Sequence, residues 1–239
     1  MAINITLEDM NFKAKEAIKT LRTNIEFSGD DKKVIVLTSC VPNEGKSTIS
    51  LNLANGLAEA GKRVLLVDAD MRKSALIGRL KINEEVTGLS HFLTGHNTIT
   101  EVITRTKKEN LSIIFAGVVP PNPAELLSST RFGSLIDAAR NAYDYIIIDA
   151  PPIGAVVDAA VIAKHCDGAV MVIGYAEVSY RLAQDVKKQL EASGCPILGA
   201  VLNKVPTGHE HAYGYYGGYY GGYYGGYYGG YYGKEEGNK

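Results

Sequence analysis

The stretch SCVPNEGKST, at positions 39–48, carries the residue types of a phosphate-binding loop. A strand-like apolar run precedes it and a helix-like pattern follows it. In a strand–loop–helix unit the loop N–H groups and the helix N-terminus surround a phosphate. We therefore expect Gly45, Lys46, Ser47 and Thr48 to bind a nucleotide. Lys46 is suited to the β- and γ-phosphates, and the Ser47 hydroxyl is suited to Mg²⁺.

The loop departs from the usual phosphate-loop pattern at two positions. Cys40 stands five positions before Gly45, where a glycine is usual, and Asn43 stands where a second glycine is often found. Asparagine adopts the left-handed backbone conformation more readily than most residues, so Asn43 is compatible with a tight turn. The alternative at this point is a plain helix start that contains Gly-Lys-Ser by chance.

Two aspartates end the next apolar run, VLLVDADMR at 64–72. Asp68 and Asp70 leave the carboxyl end of a predicted strand, and Arg72 follows them. In open α/β sheets, ligands bind at this edge of the sheet. The alternative is a surface turn that carries two solvated aspartates.

Two more polar residues end apolar runs. Asp149 ends YIIID, where a carboxylate can hold Mg²⁺ directly or through water. Asn203 ends the last run, and its amide is suited to the edge of an adenine, although a polar pair at a strand end explains it equally well. A phosphate loop and acidic strand ends on one sheet edge together indicate a site for nucleotide and Mg²⁺.

The elements that position these residues alternate along the chain. Apolar runs rich in Val and Ile predict strands buried on both faces, and helical patterns lie between them. The predicted strands are 34–39, 63–70, 111–117, 145–152, 169–174 and 197–203. The predicted helices are 11–28, 46–60, 123–141, 155–164 and 178–193. This order predicts an α/β fold of the phosphate-loop type, a doubly wound and mostly parallel sheet with helices on both faces.

The C-terminal segment has a different composition. A YYGG unit repeats within residues 207–239, which hold eleven of the fifteen tyrosines. Paired glycines make ordered structure entropically costly, so we expect a flexible tail. The pattern is compatible with an adhesive tail, an aromatic RNA-binding tail or a set of substrate hydroxyls. We divide the chain into 1–33, an N-terminal helical region, 34–206, a nucleotide-binding domain, and 207–239, the tail.

The overall composition narrows the function classes. The chain has 239 residues, 46% of them hydrophobic, and a net charge of −1, so a basic field for nucleic acid is not expected. Its three cysteines are widely spaced and suggest reduced thiols in a cytosolic protein. Its start has no apolar signal segment, and no apolar run is long enough to span a bilayer. We therefore expect any membrane association to come through a partner.

At these residues the chain resembles a bacterial protein-tyrosine kinase of the capsule and exopolysaccharide type. The likeness covers nearly the whole sequence and is to the cytoplasmic kinase half found in Gram-positive bacteria. It rests on SCVPNEGKST, on LLVDADMR, on IIIDAPP and on the C-terminal tyrosine cluster. The phosphate loop itself is shared with partition and septum-positioning ATPases.

The resemblance implies a role for each matching residue. Lys46 and Ser47 would bind ATP and Mg²⁺, and Asp70 and Asp149 would help to place the metal. Asp68 would accept the proton of the incoming tyrosine hydroxyl. The tail tyrosines would be the phosphate acceptors, namely Tyr215, Tyr216, Tyr219, Tyr220, Tyr223, Tyr224, Tyr227, Tyr228, Tyr231 and Tyr232.

The resemblance also gives the N-terminal helix a role beyond that of a solvated face. Members of the family carry a Glu-x-x-Arg-x-x-Arg motif that mediates a ring, commonly an octamer. Here the motif reads Glu16, Lys19 and Arg22, and Lys19 keeps the charge but lacks the bidentate fork of arginine. The implied partners are other copies of the chain, a transmembrane adaptor that activates the kinase and recruits it to the inner face of the membrane, and a tyrosine phosphatase.

Two rival functions remain. A positioning ATPase, of the partition and septum-site kind, usually carries an extra lysine early in the loop, whereas residues 40–44 contain none. An interaction protein would use the fold as a scaffold and the tail for self-association. An interaction protein would not need the loop lysine or the carboxylates, and all of them are present.

Overall fold

The structure, a computed structural model, describes residues 2–7, 9–82 and 86–206. Within these residues one sheet is formed by β1 (Val34–Ser39), β2 (Val64–Asp68), β3 (Thr104–Arg105), β4 (Leu111–Ile114), β5 (Tyr145–Asp149), β6 (Gly168–Gly174) and β7 (Ile197–Asn203). The order across the sheet is β3-β4-β2-β5-β1-β6-β7. All neighbouring pairs are parallel except β3 and β4. The prediction of a mostly parallel sheet is therefore confirmed.

Helices cover both faces of this sheet. In the described residues they are α1 (Phe12–Glu26), α2 (Lys46–Glu59), α3 (Leu76–Arg79), α4 (Leu89–Leu93), α5 (Ile99–Val102), α6 (Pro123–Leu127), α7 (Thr130–Ala142), α8 (Asp158–Ala163) and α9 (Tyr180–Glu191). Alternate residues of β1 belong to different cores, because successive side chains of a strand point to opposite faces. Ile35 and Leu37 pack with α1 and α2, while Val34 and Val36 pack with the side that holds α7, α8 and α9.

The register of the central strands brings the acidic strand ends together. Asp68, the last residue of β2, lies opposite Asp149, the last residue of β5. The next strand, β1, pairs with β5 on its other side and runs directly into the loop that starts α2. Because these three strands are parallel, their carboxyl ends meet at one edge of the sheet.

The strands predicted at 63–70, 111–117 and 145–152 end two or three residues earlier than predicted, at Asp68, Ile114 and Asp149. The structure also differs from the predicted elements in two further respects. The helix predicted at 123–141 is two helices, since Ser129 has an extended backbone (φ −70°, ψ 154°) between α6 and α7. The short elements β3, α3, α4 and α5 were not predicted. Each has two to five residues, too few to show a hydrophobic period.

The described residues contain no helix that is both long and apolar enough to cross a lipid bilayer. The predicted flexible tail and its tyrosines lie outside the described residues.

Candidate active site

The loop between β1 and α2 has the backbone form of an anion-binding turn. Gly45 (φ 90°) and Asn43 (φ 70°) both adopt left-handed conformations, and α2 begins at Lys46. A Cβ atom on residue 45 would overlap Nδ2 of Asn203, so glycine is required by both conformation and space. The first N–H groups of α2 have no partner within the helix and are available to an anion.

Two side chains hold the loop in place. Asn203 donates a hydrogen bond from Nδ2 to the carbonyl oxygen of Glu44 at 2.9 Å. The Glu44 carboxylate is fully buried and accepts hydrogen bonds from the N–H groups of Val41 and Gly174, both at 2.8 Å. These bonds connect the loop to the carboxyl ends of β6 and β7. Strands that are distant in sequence but adjacent in the sheet therefore preorganise the loop.

Lys46 reaches the acidic strand ends. Its buried Nζ lies 2.7 Å from Oδ1 of Asp149 and 3.8 Å from Oδ2 of Asp70. It is also 3.3 Å from the hydroxyl of Ser47. The hydroxyl of Ser50 contacts the same oxygen of Asp149 at 3.1 Å. The structure therefore brings together the loop lysine and the two carboxylates predicted to place a metal.

Asp68 lies behind these groups and is fully buried. Its Oδ2 accepts a hydrogen bond from the Ser74 hydroxyl, and its Oδ1 accepts one from the N–H of Asp70 at 3.2 Å. Burial, assisted by the charge of Asp149, raises the pKa of Asp68 to about 7, although Ser74 and Lys46 oppose the rise. A carboxyl group with such a pKa can exchange a proton near neutral pH.

A cavity of about 270 Å³ opens at this edge of the sheet. Residues 42–47 form one wall, residues 72–75 with Arg79 form a second, and Pro151, Pro152, Ala155 and Val156 form a third. Asp70 also lines the cavity. Thr48 lies in the first turn of α2, half-buried, and its carbonyl accepts a hydrogen bond from Asn52 at 2.8 Å.

The oxygen donors present fit Mg²⁺ better than a transition metal. They are the hydroxyl of Ser47 and the carboxylates of Asp70 and Asp149, which are hard ligands. Among residues 2–7, 9–82 and 86–206, no three His, Cys, Asp or Glu side chains form a metal cluster by themselves.

Several site residues were missed by the sequence analysis. Glu44, Ser50 and Ser74 contact the loop or the aspartates, and Asp158 makes an ion pair with Arg72. Their partners lie between 3 and 130 positions away in the sequence. Only the acidic character of Glu44 inside the phosphate loop offered a local signal.

The predicted oligomerisation residues lie on α1. Glu16 and Lys19 form an exposed ion pair, with Nζ and Oε1 2.6 Å apart. Arg22 is more buried, and its Nη1 donates a hydrogen bond to the carbonyl of Gly56 on α2 at 3.1 Å. Glu16 and Lys19 are therefore accessible to a second molecule, while Arg22 also attaches α1 to the domain.

Comparison with known proteins identifies the family. Residues 32–180 match a family model described as an AAA domain, a nucleotide-binding domain. The chain is 44% identical to the tyrosine-protein kinase CpsD of Streptococcus agalactiae over 205 residues, which cover 86% of this chain and 89% of the relative. The chain belongs to the bacterial protein-tyrosine kinases.

Solved structures agree with this assignment. The kinase domain of the Escherichia coli tyrosine kinase ETK superposes on this kinase with a TM-score of 0.75 at 31% identity, covering 83% of this chain and 80% of that one. The septum site-determining protein MinD of Pyrococcus horikoshii, complexed with Mg-ADP, has a TM-score of 0.61 at 26% identity, over 71% of this chain and 69% of that one. The kinase is thus an enzyme that transfers a phosphoryl group to tyrosine, on a fold shared with the positioning ATPases.

Proposed function

We propose that this kinase is an ATP-dependent tyrosine autokinase whose subunits phosphorylate one another's C-terminal tails. The observation that carries the proposal is the convergence of Lys46 with Asp68, Asp70 and Asp149 beside a phosphate loop. The same chain carries eleven tyrosines on a glycine-spaced segment. A flexible segment of this kind can present many hydroxyls in turn to a neighbouring active site.

The phosphate-binding roles follow from the loop. Gly45, Lys46, Ser47 and Thr48 surround the β- and γ-phosphates of ATP with N–H groups and one ammonium group. When ATP binds, Lys46 is expected to exchange its contact with Asp149 for a phosphate oxygen, since both are anionic acceptors within its reach. We propose that Asn203, which holds the loop from the end of β7, also contacts the edge of the adenine.

The acid–base and metal roles belong to the three aspartates. Ser47, Asp70 and Asp149 would hold Mg²⁺, and the ion would neutralise charge on the transferred phosphoryl group. Asp68 accepts the proton of the attacking tyrosine hydroxyl. Its raised pKa supports this role, because a base that titrates near neutral pH combines availability with proton affinity.

The cellular role follows from the family. We propose that copies of the kinase assemble into a ring, of about eight subunits by the family resemblance, through Glu16, Lys19 and Arg22. A transmembrane adaptor recruits the ring to the inner face of the cell membrane and completes its activation, and a cognate tyrosine phosphatase reverses the modification. The cycle of phosphorylation regulates the synthesis and export of a capsular or extracellular polysaccharide.

The experiment is mass spectrometry of the purified chain after incubation with ATP and Mg²⁺. Wild type is compared with Lys46→Met, with Lys62→Met as a matched surface control, and with a chain truncated after Pro206. We expect several phosphates on tail peptides of wild type and of Lys62→Met, and none on Lys46→Met or on the truncated chain. Because the adaptor is proposed to complete activation, we expect its cytoplasmic segment to raise the yield of phosphorylated tail peptides.

The opposite result favours the rival function. If wild type converts ATP to ADP while no tyrosine gains mass, the tail is not the acceptor. The similarity to MinD then makes a positioning ATPase the better description.

A further inference from the structure

Arg72 and Asp158 form an ion pair in the wall of the active-site cavity. Nε of Arg72 lies 2.8 Å from Oδ2 of Asp158, and its Nη2 lies 3.0 Å from Oδ1. The two residues are 86 positions apart and connect the segment after β2 to the start of α8. This is the planar, two-point geometry that fixes the orientation of a guanidinium group.

The two partners differ in their exposure. The side chain of Asp158 is 1% exposed, whereas that of Arg72 is 41% exposed and lines the cavity. A guanidinium group has five N–H donors, and the pair with Asp158 uses two of them. The two bonds to Asp158 restrict the rotation of the Arg72 guanidinium group, so its other N–H donors are also fixed in orientation. Asp158 therefore acts as an anchor for Arg72, which lines the cavity and keeps N–H donors that the pair does not use.

The charges around the cavity make such a cation useful. Asp68, Asp70 and Asp149 supply three carboxyl groups, Lys46 is already paired with Asp149, and Lys73 and Arg79 are further cations in the cavity lining. Among these cations, Arg72 is the one that a buried carboxylate holds at two points. In the transition state of phosphoryl transfer, the negative charge of the transferred group is spread over its three equatorial oxygens. A preorganised cation stabilises this charge without the reorganisation that a flexible side chain requires.

We propose that Arg72 contacts the phosphoryl group during its transfer and that Asp158 is the residue that positions Arg72. This inference rests on the proposed function for the identity of the acceptor. The proposed contact of Arg72 does not depend on whether the tail is the acceptor, because Arg72 contacts the phosphoryl group that ATP donates.

The test uses the full chain and three variants. Arg72→Gln alone leaves Asp158 buried without its cation, which threatens folding. The double variant Arg72→Gln/Asp158→Asn removes both charges together and keeps two amide groups that can pair. Asp158→Asn alone keeps the arginine but removes one half of its anchor. The matched control is Arg63→Gln/Asp144→Asn, which removes a similar two-point pair (2.8 and 3.3 Å) that precedes β2 and β5, outside the cavity lining.

The first readout is binding, measured by calorimetry with Mg²⁺ and either ADP or ADP with aluminium fluoride, an analogue of the transferred phosphoryl group. We expect wild type and the control to bind the fluoride complex more tightly than ADP. We expect the Arg72→Gln/Asp158→Asn variant to lose about tenfold or more of this gain, with ADP affinity nearly unchanged. Equal losses for both ligands, or no loss, would overturn the proposal.

The second readout is the rate of ADP and phosphotyrosine formation. We expect kcat to fall roughly 10- to 100-fold in the double variant with little change in KM for ATP. If Asp158 acts only through Arg72, adding Asp158→Asn to Arg72→Gln causes no further loss of kcat, whereas an additive loss contradicts the positioning role. ADP formation without phosphotyrosine in wild type would refute the proposed acceptor, while the binding readout still decides the role of Arg72.

Discussion

Single residues of the active site perform two kinds of work. Some of them, such as Lys46 and Asp70, are proposed to contact phosphate or metal, and others, such as Glu44 and Asn203, hold the loop backbone in its shape. The second kind is as specific as the first, because a loop that binds anions through its N–H groups works only in one conformation. Gly45 belongs to the second kind for two reasons, since its left-handed conformation starts α2 and its lack of a side chain leaves space for Asn203.

This dual requirement gives a prediction for Gly45→Ala. The added Cβ overlaps Nδ2 of Asn203 and the left-handed φ is strained, so we expect nucleotide affinity to fall at least about tenfold. Gly61→Ala is the matched control, because Gly61 has a similar φ of 82° with no atom within 4 Å of its added Cβ. We expect the control to lose only about 1 kcal/mol of unfolding free energy and to bind nucleotide normally. Equal affinity losses in the two variants would show that the contact with Asn203 is unimportant.

Elements of the fold are joined at their ends by a few partly buried polar contacts. Asp167, which precedes β6, accepts hydrogen bonds from the N–H groups of Lys33 and Val34 at the start of β1. It also forms a two-point pair with Arg140 in the last turn of α7, at 2.7 and 2.8 Å. Burial acts to raise the pKa of Asp167, but the bonds from Arg140 and from Val34 outweigh it and hold the pKa below its usual value.

A pH dependence of stability follows from this lowered pKa. Because the folded state binds the proton of Asp167 less readily than the unfolded state, its contribution is full above about pH 4 and is lost as the pH falls further. We expect Asp167→Asn to lower the free energy of unfolding by about 1–3 kcal/mol at pH 7, and by much less at pH 3. Urea unfolding of both proteins at the two pH values measures this difference.

The control for this experiment is Asp137→Asn, which removes an exposed carboxylate from α7. We expect a change within about 0.5 kcal/mol at either pH. An Asp167→Asn effect that is equal at pH 7 and pH 3 would mean that the ionised carboxylate is not the source of the stability.

The whole molecule combines a well-packed nucleotide-binding domain with two regions that we propose act between subunits. These regions are the charged face of α1 and the tyrosine-rich residues 207–239, which lie outside the described residues. The face of α1 carries the residues that would build a ring. Residues 207–239 carry the tyrosines whose phosphorylation would change the charge of the ring. Assembly and activity are thus expected to influence each other.

The lysine in the helix motif gives a prediction about assembly. Arginine at position 19 supplies a fork that can bind a carboxylate at two points, which lysine cannot do. We expect Lys19→Arg to raise, and Lys19→Ala to lower, the fraction of large oligomer at a given concentration in analytical ultracentrifugation. Lys13→Arg, an exposed change on the same helix, is the matched control. Unchanged sedimentation of Lys19→Ala would exclude this residue from the interface.

Phosphorylation of the tail gives a second prediction about assembly. Each phosphotyrosine adds about −1.5 to −2 charges near neutral pH. The unmodified chain has a net charge of −1, so even a few phosphates dominate the charge of a subunit. We expect repulsion between tails to shift the ring toward smaller species, and to do so less at high salt. Identical sedimentation of phosphorylated and unmodified samples would rule out this switch.

The sequence alone determined the fold class, the positions of the long strands and the residues to which we assign the chemistry. Continuous Val- and Ile-rich runs such as 34–39 can be read locally, because a strand buried on both faces needs apolar residues at every position. The same holds for Lys46 and for the aspartates that end the runs. The left-handed backbone that the structure shows at Asn43 also agrees with a local preference, because asparagine adopts this conformation more readily than most residues.

Only the tertiary structure decided which of these residues meet. The strand order places Asp68 directly beside Asp149, although 81 positions separate them in the chain, and brings the N–H of Gly174 to Glu44. Asp158 was not predicted as a site residue, because an aspartate near a helix start is common. Its partner, Arg72, is 86 positions away in the sequence. Local sequence patterns carry no information on such pairs, because the order of the strands and the packing of the helices bring the two residues together. The physical reason is that burial and charge pairing are properties of neighbours in space, and the chain sets those neighbours only when it is folded.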